Sequence, residues 1–229
     1  SYIRRRQHHA CLLLWCGGNE LQGALDGNKT GIGKPVDCSH PLMARLQQLI
    51  QLNDPGRRFL PSSASGPRFT ADANDFGKGL HWDVHGPWNV SKPNYWENDD
   101  ALFRSEVGVP GASSVEIIRE FSGGLPELPA SLDNPLWRRT SWWIQWPDFL
   151  SEKGREPENL EEFVAWSQQR QAAELSRAVR ACKNRFPRCG GVVLWMGHDC
   201  FPCTSNTAIF DVHGRPKPAA IAVGEVFRE

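Results

Sequence analysis

The stretch Cys11-Leu12-Leu13-Leu14-Trp15-Cys16-Gly17-Gly18-Asn19-Glu20 opens as an unbroken apolar run and closes on two glycines and a carboxylate. A short apolar run bounded by glycine predicts a strand buried on both faces, the kind found in parallel sheets. Further along, Leu102-Phe103-Arg104-Ser105-Glu106-Val107-Gly108 repeats the pattern, again with a glutamate where the run meets glycine. Barrel strands present catalytic acids in this way at their C-terminal ends. Two such carboxylates point to glycoside hydrolysis, in which one carboxyl protonates the leaving oxygen and the other attacks or activates water. The same residues also read without chemistry, Glu20 as the cap of a helix beginning near Leu21 and Glu106 as a solvated loop charge.

Outward from these two words the chain alternates. Tyr2 to His9 reads as the end of a helix and Gly23 to Pro35 as loop. Pro41 to Gln51 carries Leu42, Met43, Leu46, Leu49 and Ile50 at helical spacing. Arg58 to Pro61 reads as a short strand running into the Ser62-Ser63-Ala64-Ser65-Gly66 loop, with further strands at Leu80 to Val84, Leu102 to Ser105 and Gly191 to Trp195. Pro-rich and Trp-rich loops fill Gly124 to Pro147. A helix is predicted over Leu160 to Asn184, where Phe163, Trp166, Leu175 and Val179 recur among Glu, Gln and Arg. Strands alternating with helices predict an α/β fold with parallel strands, yet about five strands fall short of the eight that close a barrel.

Composition sets outer limits. A chain of 229 residues can bury a substantial core as one large domain or two small ones. Basic and acidic residues balance at 26 each, which argues against a nucleic-acid or anionic-membrane partner, because both select a basic patch. No apolar run approaches the roughly 20 residues that span a bilayer. The compartment is left open. Seven cysteines are too few for a disulfide scaffold at this length. Cys200-Phe201-Pro202-Cys203 has the spacing of a redox pair or half a zinc site, but Cys182 and Cys189 stand too far apart to supply the other half. No metal or cofactor is expected. Sequons occur at Asn28-Lys29-Thr30 and Asn89-Val90-Ser91. Ten tryptophans are the compositional outlier, serving either as core or as the flat walls on which sugar faces stack.

Four ordered words in this chain resemble glycoside hydrolase family 2. Trp15-Cys16-Gly17-Gly18-Asn19-Glu20 is similar to the family's acid/base segment and Phe103-Arg104-Ser105-Glu106-Val107-Gly108 to its nucleophile segment. Trp82-Asp83-Val84-His85-Gly86-Pro87-Trp88 resembles the Gly-Asp-Val-His stretch of β-mannosidase-like members. Gly190-Gly191-Val192-Val193-Leu194-Trp195, followed by Asp199-Cys200-Phe201-Pro202-Cys203-Thr204-Ser205, resembles their last barrel strand and its loop. The likeness runs from Arg4 to Ala220. Met196-Gly197-His198-Asp199 departs from the Gln-Leu-Asn-Asp often found there, and the insert Trp137 to Trp146 has no counterpart in the resemblance.

The resemblance implies a partial (β/α)8 barrel comprising strands four to eight, so that residues 1–229 form the C-terminal portion of a catalytic domain. Strands one to three and preceding β-sandwich domains are expected upstream in the same polypeptide, and the segment alone is expected to be inactive. It further implies a retaining exo-β-glycosidase of β-mannosidase type acting on a carbohydrate, or another member of the family (a β-galactosidase, β-glucuronidase or exo-glucosaminidase). A non-catalytic carbohydrate-binding barrel is the alternative from another class. Glu20 would be the acid/base and Glu106 the nucleophile; burial against Trp15 and a second carboxylate nearby would suit the acid. Asn19 would hydrogen-bond the sugar 2-hydroxyl or simply occupy a turn. Asp83, on the face of His85, would orient that imidazole towards a hydroxyl. Trp88 and Trp195 would form stacking walls or core. Asp199 would meet substrate or close the last loop, and the role of Arg104 stays open.

Overall fold

The computed structural model describes residues 2–23 and 34–229, which form two compact units: Ser1–His85 with Asp99–Ser105, and Gly86–Asn98 with Glu106–Glu229. The sequon at Asn28 and most of the loop read over Gly23 to Pro35 lie outside the described residues.

In the first unit the helix α1 (Tyr2–Arg6) leads to strand β1 (Leu14–Cys16). The apolar run of Cys11 to Trp15 is therefore only partly strand, and it is not fully buried, since Leu13 is 73% exposed. No helix starts at Leu21. Instead β2 (Gln22–Gly23) pairs antiparallel with β3 (Lys34–Pro35). Helix α2 (Pro41–Asn53) forms as the spacing predicts, because Pro41 occupies its first turn, the His40 side chain accepts from Leu42 N, and Met43 and Ile50 give it a buried face.

Strand β4 (Arg58–Leu60) pairs with β1 in parallel, Trp15 opposite Phe59. The ladder continues beyond the regular strands through a parallel bridge between Asn19 and Ser63. Leu80 to Val84 is not a regular strand. It does lie beside its neighbours: Gly66 N donates to Asp83 O, Leu102 N to His81 O and Val84 N to Phe103 O, with a parallel bridge from Val84 to Arg104. Four consecutive chain segments are thus neighbours in sequence order, and their bridges are parallel wherever they form. Glycine is required at the close approaches, since a Cβ on Gly17 would lie 2.8 Å from Pro61 O and one on Gly66 2.8 Å from Asp83 O.

The fourth segment, β5 (Arg104–Val107), begins in the first unit and ends in the second. The second unit contains the helices α3 (Tyr95–Asn98), α4 (Val115–Phe121), α5 (Pro135–Arg138), α6 (Trp146–Lys153), α7 (Leu160–Asn184) and α8 (Pro218–Arg228), and the strands β6 (Gly111–Ala112), β7 (Val192–Leu194) and β8 (Ser205–Asn206). Helix α7 spans the predicted residues. Asn159 caps it by accepting from Glu162 N, and the Arg155 guanidinium holds the Glu162 carboxyl down at about 2.

One face of α7 is apolar, with Leu175 and Val179 packing on Val223 and Val226 of α8. The same stripe buries Ser167, Gln171 and Glu174. Buried polar atoms need partners, and each of these side chains finds at least one on the backbone or on a buried side chain, although Gln171 Oε1 accepts no hydrogen bond among the described residues. Ala112 N donates to Ser167 Oγ, Gln171 Nε2 to Val109 O, and Trp96 Nε1 to Glu174. Among the described residues no helix is long and apolar enough to cross a membrane.

Candidate active site

The first unit assembles a polar cluster at the ends of its consecutive segments. Glu20 follows β1 in the left-handed region, at φ 53, a conformation that costs a non-glycine residue on the order of 1–3 kcal/mol and that persists mainly where surrounding structure requires it. Its carboxylate Oε1 lies 2.8 Å from His85 Nδ1. His85 is wholly buried, its amide donating to Phe69 O and its ring 5.2 Å from that of Phe69. The imidazole Nε2 stands 2.7 Å from Ser63 Oγ. Ser63 Oγ donates to Ser105 Oγ at 3.0 Å, and Ser105 Oγ donates to Asp83 Oδ1 at 2.5 Å. The other oxygen of Asp83 accepts from Ser65 N and Ser65 Oγ at 2.8 and 2.9 Å. Asp83 is therefore linked to His85 through two hydroxyls rather than by direct contact.

Trp15 is not placed as expected. Its indole Nε1 donates to Asp54 at 2.8 Å and its ring meets Tyr2 edge-on. His85 is what stands against Glu20. Asn19 is exposed beside the cluster, bridged through its backbone to Ser63. Arg104, whose role the sequence left open, is fully buried and ion-paired at 2.7 Å with buried Asp99. Removing one partner of such a pair strands a charge, so Asp99→Ala should lower stability by about 3–5 kcal/mol. Urea unfolding checks this, and a loss below about 1 kcal/mol would contradict a structural role for the pair.

The second unit holds Glu106, half-buried in β5. Just after it Val107 O accepts from Trp195 N at 2.9 Å, and Gly108 N donates to Pro87 O. A Cβ on Gly108 would fall 2.4 Å from Trp195 O and 3.1 Å from the Trp88 ring, so glycine after the glutamate lets the two tryptophans close in. Trp88 and Trp195 meet edge-to-face with centroids 5.5 Å apart, and Trp143 tilts against Trp195 at 5.6 Å. Of the insert Trp137 to Trp146, Trp143 joins this aromatic group, whereas Trp137 and Trp146 lie in the core with Phe149 and Phe163, and Trp142 is exposed.

Asp199 is buried, its Oδ2 3.4 Å from the buried Lys217 ammonium. Its other oxygen accepts from Cys203 Sγ at 3.5 Å, and Lys217 Nζ donates to Gly111 O. This network ties the last loop to β6, the second of the two roles open to Asp199. Burial, reinforced by the Asp199 charge, pushes the Cys203 thiol up to about 12. A thiol held protonated is a weaker nucleophile than a thiolate.

Sequence reasoning missed Ser63, Ser65 and Ser105. Their signal was present as a serine-rich segment directly after one strand and a serine directly before Glu106.

No protein-family model matches the chain. It is 26% identical over 248 residues to Beta-mannosidase B of Aspergillus fumigatus, covering 98% of this chain and 28% of that protein. With Beta-mannosidase B of Emericella nidulans it shares 27% identity over 255 residues, 99% of this chain and 28% of the relative. Among solved structures it is similar to the β-D-mannosidase of Dictyoglomus thermophilum, with a TM-score of 0.67 and 21% identity over 99% of this chain and 28% of that one. The exo-chitosanase of Amycolatopsis orientalis matches with a TM-score of 0.65 and 15% identity over 98% and 26%. These structures share the α/β fold of this chain. The chain spans little more than a quarter of the length of the curated relatives it matches.

Proposed function

We propose that this chain is part of a retaining exo-β-glycosidase of β-mannosidase type, related to glycoside hydrolase family 2, and that it contributes strands four to eight of a (β/α)8 barrel. One observation carries the reading. Four chain segments stand side by side in sequence order, with parallel bridges, and Glu20 follows the first of them while Glu106 lies in the fourth, the order in which barrel strands present catalytic carboxylates. Similarity to β-mannosidases over nearly all of this chain supports the same reading. The remaining strands, and any preceding domains, would come from elsewhere in the same polypeptide.

In this reading Glu20 gives its proton to the departing glycosidic oxygen while Glu106 attacks the anomeric carbon. Glu20 then takes a proton from the water that releases the sugar. Asn19 hydrogen-bonds the 2-hydroxyl, and Trp88 and Trp195 offer the flat apolar surface that a sugar ring covers. No step calls for a metal or cofactor.

A second reading within enzymes, an exo-glucosaminidase, draws on the likeness in fold to the exo-chitosanase. A panel of 4-nitrophenyl glycosides separates the two. The polypeptide that carries this sequence should hydrolyse the β-mannoside at least about ten-fold faster, in kcat/KM, than the β-glucosaminide, β-galactoside and β-glucuronide, a difference of about 1.4 kcal/mol in transition-state binding. A preference for any of the others would reassign the sugar. Carbohydrate binding without turnover of any of them would favour a non-catalytic barrel.

A further inference from the structure

The hydrogen bonds running back from Glu20 have a direction, and it is set from the far end. An ionised carboxylate only accepts, and Asp83 already accepts from Ser65 N and Ser65 Oγ on one oxygen. The other oxygen takes the single proton of Ser105. Ser105 can then serve its neighbour only as an acceptor, and it receives the proton of Ser63. Ser63 in turn has only lone pairs left for His85 Nε2, 2.7 Å away. His85 must therefore carry a hydrogen on Nε2. What lies across the 2.8 Å from Nδ1 to Glu20 Oε1 is one further hydrogen, bonded to the carboxyl or to the ring.

We propose that Asp83, Ser105 and Ser63 are positioning residues for the acid/base step: they fix the tautomer of His85, so that Nδ1 confronts Glu20 and the hydrogen between them is the one delivered to the leaving oxygen. The inference rests on Glu20 being the acid/base. The proton balance is simple. Glu20 releases the hydrogen to the glycosidic oxygen as that bond breaks, and regains one from the attacking water as the glycosyl bond to Glu106 breaks; the hydrogens of Ser63 and Ser105 stay where they are. Without the relay the ring is free to place its hydrogen on Nδ1, a donor to the carboxylate that leaves Glu20 without the proton it must give. A buried histidine needs such an anchor, because its two tautomers differ only in what its partners accept or donate.

The consequence is selective. A defect in proton delivery harms substrates whose leaving group must be protonated and spares those that depart unaided, whereas a general disturbance of the fold harms both. Ser105→Ala and Asp83→Asn, in the polypeptide that carries this sequence, should lower kcat/KM for methyl β-mannoside by on the order of ten-fold, part of the roughly 10²–10⁴ that general acid catalysis supplies. The value for 2,4-dinitrophenyl β-mannoside should change less than about two-fold, within the same general-acid argument. Ser105→Thr, which keeps the hydroxyl, should restore the first substrate. Glu20→Ala on the same pair of substrates is the reference. If it shows the split and the relay variants lose both substrates equally, or neither, the relay is wrong while Glu20 stands. If Glu20→Ala itself shows no split, the acid/base assignment falls and the relay with it. A readout independent of turnover is the imidazole ¹⁵N spectrum of His85, identified by its loss in His85→Gln. Hydrogen on Nε2 in the parent, shifted toward Nδ1 in Ser63→Ala, supports the relay, and a parent ring carrying hydrogen on Nδ1 alone overturns it.

Discussion

Glu106→Ala, in the polypeptide that carries this sequence, is expected to lower hydrolysis of an activated aryl β-mannoside by ~10⁴-fold or more, because a double displacement without its nucleophile has no covalent intermediate to form. The loss should not come from unfolding. Glu106 is only half-buried at the end of a strand whose adjoining backbone is held independently, Val107 O by Trp195 N and Gly108 N by Pro87 O. The melting temperature should therefore stay within a few degrees of the parent. Azide added to this variant enters the space left by the carboxylate and attacks the anomeric carbon from that side in a single step, so the glycosyl azide it forms has the inverted configuration. Undiminished hydrolysis would remove Glu106 from the mechanism. An azide product of retained configuration would exchange its role with Glu20.

The helices that could be read from the sequence were legible in their periodicity. Helix α7 followed from Phe163, Trp166, Leu175 and Val179, since large apolar residues recur at that spacing chiefly where one face of a helix is buried, while the Asn159 cap at its head went unread. The same spacing said nothing of Gln171 and Glu174, which look like a solvated face and are buried, because backbone carbonyls and an indole supply their partners. Helices α4, α6 and α8 went unread although their signals were present: the Ser114 cap, the left-handed Gly154 that ends α6, and Pro218 at the start of α8. An apolar run, by contrast, carries no facing information. Cys11 to Trp15 therefore reads as a buried strand, whereas Leu13 points to solvent and Trp15 turns toward Asp54.

The candidate site divides in the same way. Glu20, Glu106, His85, Trp88 and Trp195 could be named from short words because each stands at the end of a strand-like run. Asp83 was expected to touch His85 because alternate residues of a strand share a face. The 82–85 segment is not a regular strand, however, and Asp83 turns to the serines. That two hydroxyls, Ser63 from the loop after β4 and Ser105 from β5, would complete the link depends on tertiary placement, which no local pattern encodes. The tryptophan insert shows the same limit: one of its aromatics joins Trp195 and two fill the core, with nothing in their spacing to tell them apart.

Glu20→Ala should produce the second large effect, of a different kind. Removing a general acid matters little when the leaving group departs unaided, so the variant should still form the glycosyl intermediate from 2,4-dinitrophenyl β-mannoside and then stall for want of a base to activate water. Turnover should fall by ~10²–10⁴-fold, the usual contribution of general acid/base catalysis, after a burst of dinitrophenol close to one equivalent per site. Azide needs no base. It should restore turnover and give a glycosyl azide of retained configuration, since it attacks the intermediate from the side that Glu20 left open. The side chain removed here also bonds His85 Nδ1, and the left-handed backbone of Glu20 is no easier for alanine to adopt, so the variant needs its own melting curve. Glu20→Gln, close in shape to the parent, keeps an amide that can bond the imidazole but cannot cycle a proton, and it should show the same stall. A burst absent from both variants, with azide without effect, would place the acid/base elsewhere in the protein.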